Sequence, residues 1–254
     1  MNIDSLFDLS GKVAIVTGGG DGIGKGSCET LAHFGASIVV SDLVLEKAQA
    51  VANEIVKNGG KAIAVACNVL NDADLVNLVD KAVAEYEMVN NAGGGGGGRE
   101  NPFQIDIAYF KRVFNLNLFS AWRLCQLVVP HMAESGYGSI INITSMGSIN
   151  KSPNMSAYAS SKAALNHMAG NLAFDFGPMG IRINNVGPGA TRTHALSTVL
   201  TPEIEAKMLE HTPIKRLGEV SDITGAVLYF AAPVSQWVSG QTLFVNGGGI
   251  QTLD

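Results

Sequence analysis

The chain has 254 residues, 46% of them hydrophobic and 15% charged, with a formal net charge of −5. That hydrophobic content excludes an intrinsically disordered chain, and the negative balance excludes a general affinity for nucleic-acid backbones or anionic membranes. No apolar run reaches the ~18 residues of a membrane span, and no basic segment followed by an apolar stretch marks a signal peptide.

Val13–Thr17 is a β-branched run that reads as a buried strand, followed by a helix over 22–35 and a second strand over 37–41. Residues 43–57 are helical in pattern, and Asn58-Gly59-Gly60 supplies the stop expected of a left-handed C-cap. A third strand follows at 62–66, and Leu75, Leu78, Val79, Ala82 and Val83 recur at helical spacing. Between Tyr86 and Asn90 too little chain remains for a turn plus a strand of about five residues, so a shortened fourth strand is expected. The run Gly93 to Gly98 reads as a loop suited to close approach of a ligand, or as a surface loop lengthened by chance. Strands at 139–143 and 181–186 stand among helices near 106–133 and 156–177, and Thr242–Val245 is the last strand. Apolar strands separated by helices imply parallel pairing with both faces covered, that is, a doubly wound α/β sheet. With no linker or composition break, a single domain over 1–254 is expected. Cys28, Cys67 and Cys125 are far apart and, like the five histidines, show no metal-ligand spacing. They read as reduced core thiols in a cytosolic protein without a metal. Gln236 and Trp237 read as structural, and His194 and His211 as incidental.

The first strand ends in Thr17-Gly18-Gly19-Gly20-Asp21-Gly22-Ile23-Gly24 and opens a helix. Glycines there let the backbone approach a pyrophosphate, and the helix end offers unpaired N–H groups. Asp42 closes the second strand about twenty residues on, where a carboxylate accepts both ribose hydroxyls of NAD and repels the 2′-phosphate of NADP. Asp21 adds a second negative charge, and no Arg or Lys is expected beside either, so the expected cofactor is NAD. Tyr158 and Lys162, four apart on a helix, share one face, while Ser145 ends a strand. A phenol with a pKa of about 10 is a poor base at neutral pH. A neighbouring ammonium and a cationic nicotinamide would move it toward the working range.

Thr17-Gly-x-x-x-Gly-x-Gly24, Asn90-Asn91-Ala92-Gly93, Ser145, Tyr158-x-x-x-Lys162 and Pro188-Gly189 run in order along the whole chain. Together they resemble the short-chain dehydrogenase/reductase family. The resemblance implies a Rossmann-type sheet of about seven strands and hydride transfer between a nicotinamide and an alcohol or carbonyl. It implies Asn117, rather than Asn115, as a fourth catalytic residue holding a relay water. It also implies a homotetramer, with the long helices before and after the serine strand at an interface. Longer stretches, among them Ser156-Ala157-Tyr158-Ala159-Ser160-Ser161-Lys162 and Thr201-Pro202-Glu203-Ile204-Glu205, resemble the hydroxysteroid dehydrogenases of that family. A steroid or bile-acid alcohol is then the implied substrate, meeting Gly95, Ser145, Asn150 and Tyr158. The implied dinucleotide contacts are Gly18, Asp21, Gly22, Ile23, Gly24, Asp42, Leu43, Asn68, Val69, Asn91, Tyr158, Lys162, Gly189, Thr191 and Thr193. A lid is expected around 191–215, where Ala195, Leu196, Val199, Leu200, Ile204 and Met208 supply apolar surface. Arg192 there suits either a bile-acid carboxylate or solvent. Asn68 stands where the family usually has Asp, and Thr191-Arg192 replaces a more apolar pair. A β-ketoacyl reductase, disfavoured by Asp42, and a catalytically silent NAD-binding scaffold are the other readings.

Overall fold

The computed structural model describes residues 4–85, 90–91, 100–151 and 153–249. In chain order the elements begin β1 (Val13–Thr17), α1 (Gly22–His33), β2 (Ser37–Asp42), α2 (Leu45–Lys57), β3 (Lys61–Ala66) and α3 (Asp72–Glu85). Then come β4 (Asn90–Asn91), α4 (Ile107–Phe114), α5 (Ser120–Ser135), β5 (Gly138–Ile143), α6 (Ser156–Phe176) and β6 (Ile181–Pro188). The last are α7 (His194–Ser197), α8 (Pro202–Leu209), α9 (Val220–Ala231) and β7 (Thr242–Val245).

All strand pairs are parallel, in one ladder ordered β3-β2-β1-β4 and another ordered β5-β6-β7. β4 lies beside β5, so the strands run 3-2-1-4-5-6-7 across a doubly wound α/β fold. The described part of β4 pairs Asn90 with Ile15 and Asn91 with Val16, and the residues that would decide the length of this strand lie outside the described ones. The chain order reverses between β1 and β4, and ligands of such sheets bind in the crevice at the carboxyl ends beside that reversal.

Alternation along the strands feeds two cores. Ala14 and Val16 of β1 join Ile38, Val40, Leu31, Ala52, Val227 and Phe230 on the face covered by α1, α2 and α9. Val13 and Ile15 join Val39, Leu78, Leu124, Val128, Ile140 and Leu172 beneath α3, α5 and α6. The three cysteines are free and buried. Burial pushes the Cys67 thiol up to about 11 and the Cys125 thiol up to about 12, so neither is a nucleophile at neutral pH.

Several elements depart from the sequence expectation. The helix expected over 106–133 is α4 and α5 joined through a π-turn, Asn115–Phe119. Helix α2 starts at Leu45 rather than at residue 43, because the Asp42 carboxylate accepts the Val44 N–H and holds Val44 extended. Its end is as expected, with Asn58 at the C-cap and Gly59 at φ +88°. Trp237, expected to be structural, is fully exposed.

Candidate active site

A cavity of about 1120 Å³ opens at the carboxyl ends of the strands and runs from the glycine loop to Tyr158. Its floor at one end is a turn that only glycine can make. Gly18 sits at φ +64°, and a Cβ on Gly24 would stand 2.0 Å from the Gly18 carbonyl oxygen. Helix α1 then presents its N-terminus to the cavity, with Asp21 capping it through the Gly22 N–H at 2.7 Å. Asp42 reaches across from β2, its Oδ2 accepting the Gly20 N–H at 3.1 Å.

One expectation is corrected at this end. Lys47, from the first turn of α2, lies 3.4 Å from Asp21, so a cation does adjoin the acidic pair. Partial burial opposes ionisation of Asp21, but the Gly22 N–H and Lys47 outweigh it and hold the carboxyl below its ordinary range. Asp42 itself has no ion-pair partner among the described residues. Leu43, Asn68 and Val69 also line this end. The Asn68 Oδ1 accepts the Leu70 N–H at 3.1 Å and retains a second lone pair for an amino donor.

At the other end Ser145 follows β5, its Oγ accepting the Gly147 N–H at 3.0 Å and sharing a hydrogen bond with the Tyr158 phenol. Lys162, one turn along α6, is 1% exposed. Its Nζ donates to the Ile143 carbonyl at 2.9 Å and lies 5.9 Å from the Tyr158 ring centre. Burial pushes Lys162 down to about 8. Burial raises the Tyr158 phenol, and the Ser145 hydrogen bond only partly offsets this.

Asn117 is 3% exposed in the π-turn, whereas Asn115 is exposed. The Asn117 Nδ2 donates to the Ser161 hydroxyl at 3.0 Å, and Ser161 donates to the Tyr158 carbonyl at 2.7 Å. The Asn117 Oδ1 is buried with no hydrogen-bond partner among the described residues, an acceptor that a bridging water would satisfy. A π-turn is rare and commonly marks a functional position.

Gly18, Asp21, Gly22, Ile23, Gly24, Asn117, Gly189, Thr191 and Thr193 all line the cavity with Ser145, Tyr158 and Lys162. Asn150 is not among the lining residues, since it closes the turn after Met146. Gly95 lies outside the described residues, as does the Asn91 side chain. His194, expected to be incidental, lines the cavity near Asp21. Arg192 is engaged by Glu205 at 3.0 Å and Glu219 at 3.4 Å, which ties α8 to the start of α9. Its guanidinium is therefore already matched by carboxylates. Sequence reasoning missed Lys47, Ser161 and Glu100; the last two flank Tyr158, and no local pattern marks Glu100. No group that would hold a metal ion occurs among the described residues.

The donor set suits a dinucleotide: a glycine cradle, a helix N-terminus, a carboxylate at the end of β2 and a phenol–lysine pair in line with them.

The family model described as enoyl-(acyl carrier protein) reductase matches residues 18–249. The chain is 49% identical to the 7α-hydroxysteroid dehydrogenase of Escherichia coli K12, covering all of this chain and 99% of that one. It is 37% identical to the 7α-hydroxysteroid dehydrogenase of Clostridium sardiniense, over 94% of each. Among solved structures, a 7α-hydroxysteroid dehydrogenase complexed with NADH and 7-oxo glycochenodeoxycholic acid superposes with a TM-score of 0.92 at 48% identity, over the whole of both chains. A putative gluconate dehydrogenase from Agrobacterium tumefaciens superposes at 0.94 with 27% identity, over 98% of this chain and 99% of that one.

Proposed function

The chain belongs to the short-chain dehydrogenase/reductase family, and on that premise we propose that it oxidises the 7α-hydroxyl of bile acids to the 7-ketone, reversibly, with NAD⁺. The observation that carries this reading is the Ser145–Tyr158–Lys162 cluster, at the end of a dinucleotide cradle, in a chain alike over its full length to 7α-hydroxysteroid dehydrogenases.

Bound in the glycine cradle, NAD⁺ supplies the hydride acceptor. Tyr158 is the general base that takes the hydroxyl proton, and Ser145 holds the substrate oxygen beside it. Lys162 lends positive charge to the phenolate and orients the ribose. Asn117 offers its orphan Oδ1 to the water that carries the proton away. Asp42 accepts the ribose hydroxyls and turns away a 2′-phosphate, while Lys47 answers the charge of Asp21. Leu43, Asn68 and Val69 would bound the adenine side of a bound dinucleotide, and Thr191 and Thr193 would hold its nicotinamide amide. Gly95 and Asn150 join the substrate contacts by resemblance alone.

The same reading takes residues 1–254 as one domain with 191–215 as a substrate lid, braced internally by the Arg192–Glu205 ion pair. A homotetramer fits Trp122 on α5 and Phe174 on α6, both exposed, the latter to 84%. A cytosolic location fits three free thiols.

Initial rates with cholic acid and deoxycholic acid, which lacks the 7-hydroxyl, test the substrate, with NAD⁺ and NADP⁺ in separate runs. Turnover of cholate with NAD⁺ alone is expected; equal turnover of deoxycholate overturns the position.

A further inference from the structure

Helix α6 carries Tyr158 in its first turn, yet Met155 at its N-cap makes no side-chain capping bond. The first N–H groups of a helix have no intrahelical partner and, when buried, need an acceptor from elsewhere. Here the acceptor comes from Glu100, which is 2% exposed. One carboxylate oxygen accepts the Ala157 N–H at 2.7 Å and the Ser156 hydroxyl at 3.3 Å, and the other accepts the Tyr158 N–H at 3.0 Å. No lysine, arginine or histidine pairs with Glu100 among the described residues. The buried charge is thus answered by the positive end of α6 and by these three donors.

A second bond fixes the approach to the helix. The Glu100 N–H donates to the Asn154 carbonyl at 2.7 Å. Asn154 has φ +59°, the one non-glycine residue with positive φ among the described residues. Such a conformation persists where surrounding contacts over-determine it. Glu100 therefore holds both the strained loop before α6 and the N–H of Tyr158 itself.

We propose that Glu100 is a positioning residue for the reaction: it caps α6 from outside and sets the Tyr158 phenol against Ser145. This rests on the assignment of Tyr158 as the base. Without the carboxylate the first turn of α6 loses its acceptors and the phenol shifts, whereas the glycine cradle, across the cavity, is untouched.

The test compares wild type with Glu100→Ala and the isosteric Glu100→Gln, which keeps one carbonyl acceptor. Three quantities are read: cholate oxidation with NAD⁺, NADH affinity by fluorescence, and amide exchange of the peptide spanning 153–160. Misplacing a reacting group costs rate steeply, so Glu100→Ala should lower kcat by about 10- to 100-fold, with Glu100→Gln between it and wild type. NADH affinity and the steroid KM should change by less than about twofold, because Glu100 is not among the residues lining the cavity. The amides of Ala157 and Tyr158 should exchange faster, while later turns of α6 stay protected. Unchanged kcat in both variants overturns the proposal, as does a loss of kcat matched by an equal loss of NADH affinity. Should Glu100→Ala fail to fold, Glu100→Gln decides alone. A wild type inactive on cholate refutes the proposed function instead, and amide exchange then decides the role of Glu100 by itself.

Discussion

Asn117 reaches Tyr158 through one hydroxyl: its Nδ2 donates to Ser161 at 3.0 Å, and Ser161 donates to the Tyr158 carbonyl at 2.7 Å. The π-turn makes this possible by carrying Asn117 into the interior between α4 and α5 and leaving its Oδ1 without a hydrogen-bond partner among the described residues. Asn117→Ala should therefore lower kcat by about 10- to 100-fold while NADH affinity holds, as expected for loss of one proton-relay group. Ser161→Ala should lose less, because only the support of Asn117 goes. Steady-state rates beside NADH fluorescence titration check both, and an Asn117→Ala enzyme at wild-type rate would remove Asn117 from the relay.

Tyr158→Phe deletes only the phenolic oxygen. Turnover should fall by about 10²–10⁴-fold, the usual worth of a general base. Stability should change by about 1 kcal/mol or less, the value of the one hydrogen bond to Ser145. Thermal denaturation and NADH binding on the same preparation separate the two effects.

The pH dependence has opposite signs in the two directions. Alcohol oxidation needs the phenolate, and burial holds the Tyr158 phenol above its ordinary value. Oxidation should thus climb from pH 6 by up to about tenfold per pH unit while the base is mostly protonated. Lys162, pushed down to about 8, loses its proton above that pH and with it the charge that favours the phenolate, so the climb should flatten there. Ketone reduction uses the protonated phenol and should hold its rate at low pH and fall as pH rises. Initial rates of both directions across pH 6–10 check the pattern; oxidation fastest at pH 6 contradicts it.

Asp42 accepts the Gly20 and Val44 N–H groups and lines the cavity at the end of β2. Asp42→Ala should raise the KM for NAD⁺ by about tenfold or more, the cost of losing charged hydrogen bonds. It should also admit NADP⁺, since one of the two carboxylates that repel a 2′-phosphate is then gone while Lys47 stays nearby on Asp21. The ratio of kcat/KM for the two coenzymes reads this directly, and an unchanged ratio removes Asp42 as the selector.

Much of this architecture is legible in residues that are local in sequence. β1 and β2 are contiguous apolar runs, so their length and parallel pairing follow from composition. The spacing of four places Tyr158 and Lys162 on one face without knowledge of the fold. What stays hidden depends on chain segments that meet only after folding. Lys47 reaches Asp21 because α2 folds back over the glycine loop. Glu100 caps a helix that starts 56 residues later, so no capping signature stands before Ser156. The π-turn at Asn115–Phe119 adds a residue to one turn without a change in composition. The raised phenol reflects burial, which a four-residue spacing does not report.

In the proposed reaction hydride leaves C7 of a bile acid. Cholate carrying deuterium at C7 should transfer the label to the reduced coenzyme, seen by mass spectrometry, and should be oxidised more slowly than unlabelled cholate when the hydride step limits the rate. Unlabelled NADH from C7-deuterated cholate would show that another position reacts and would contradict the account.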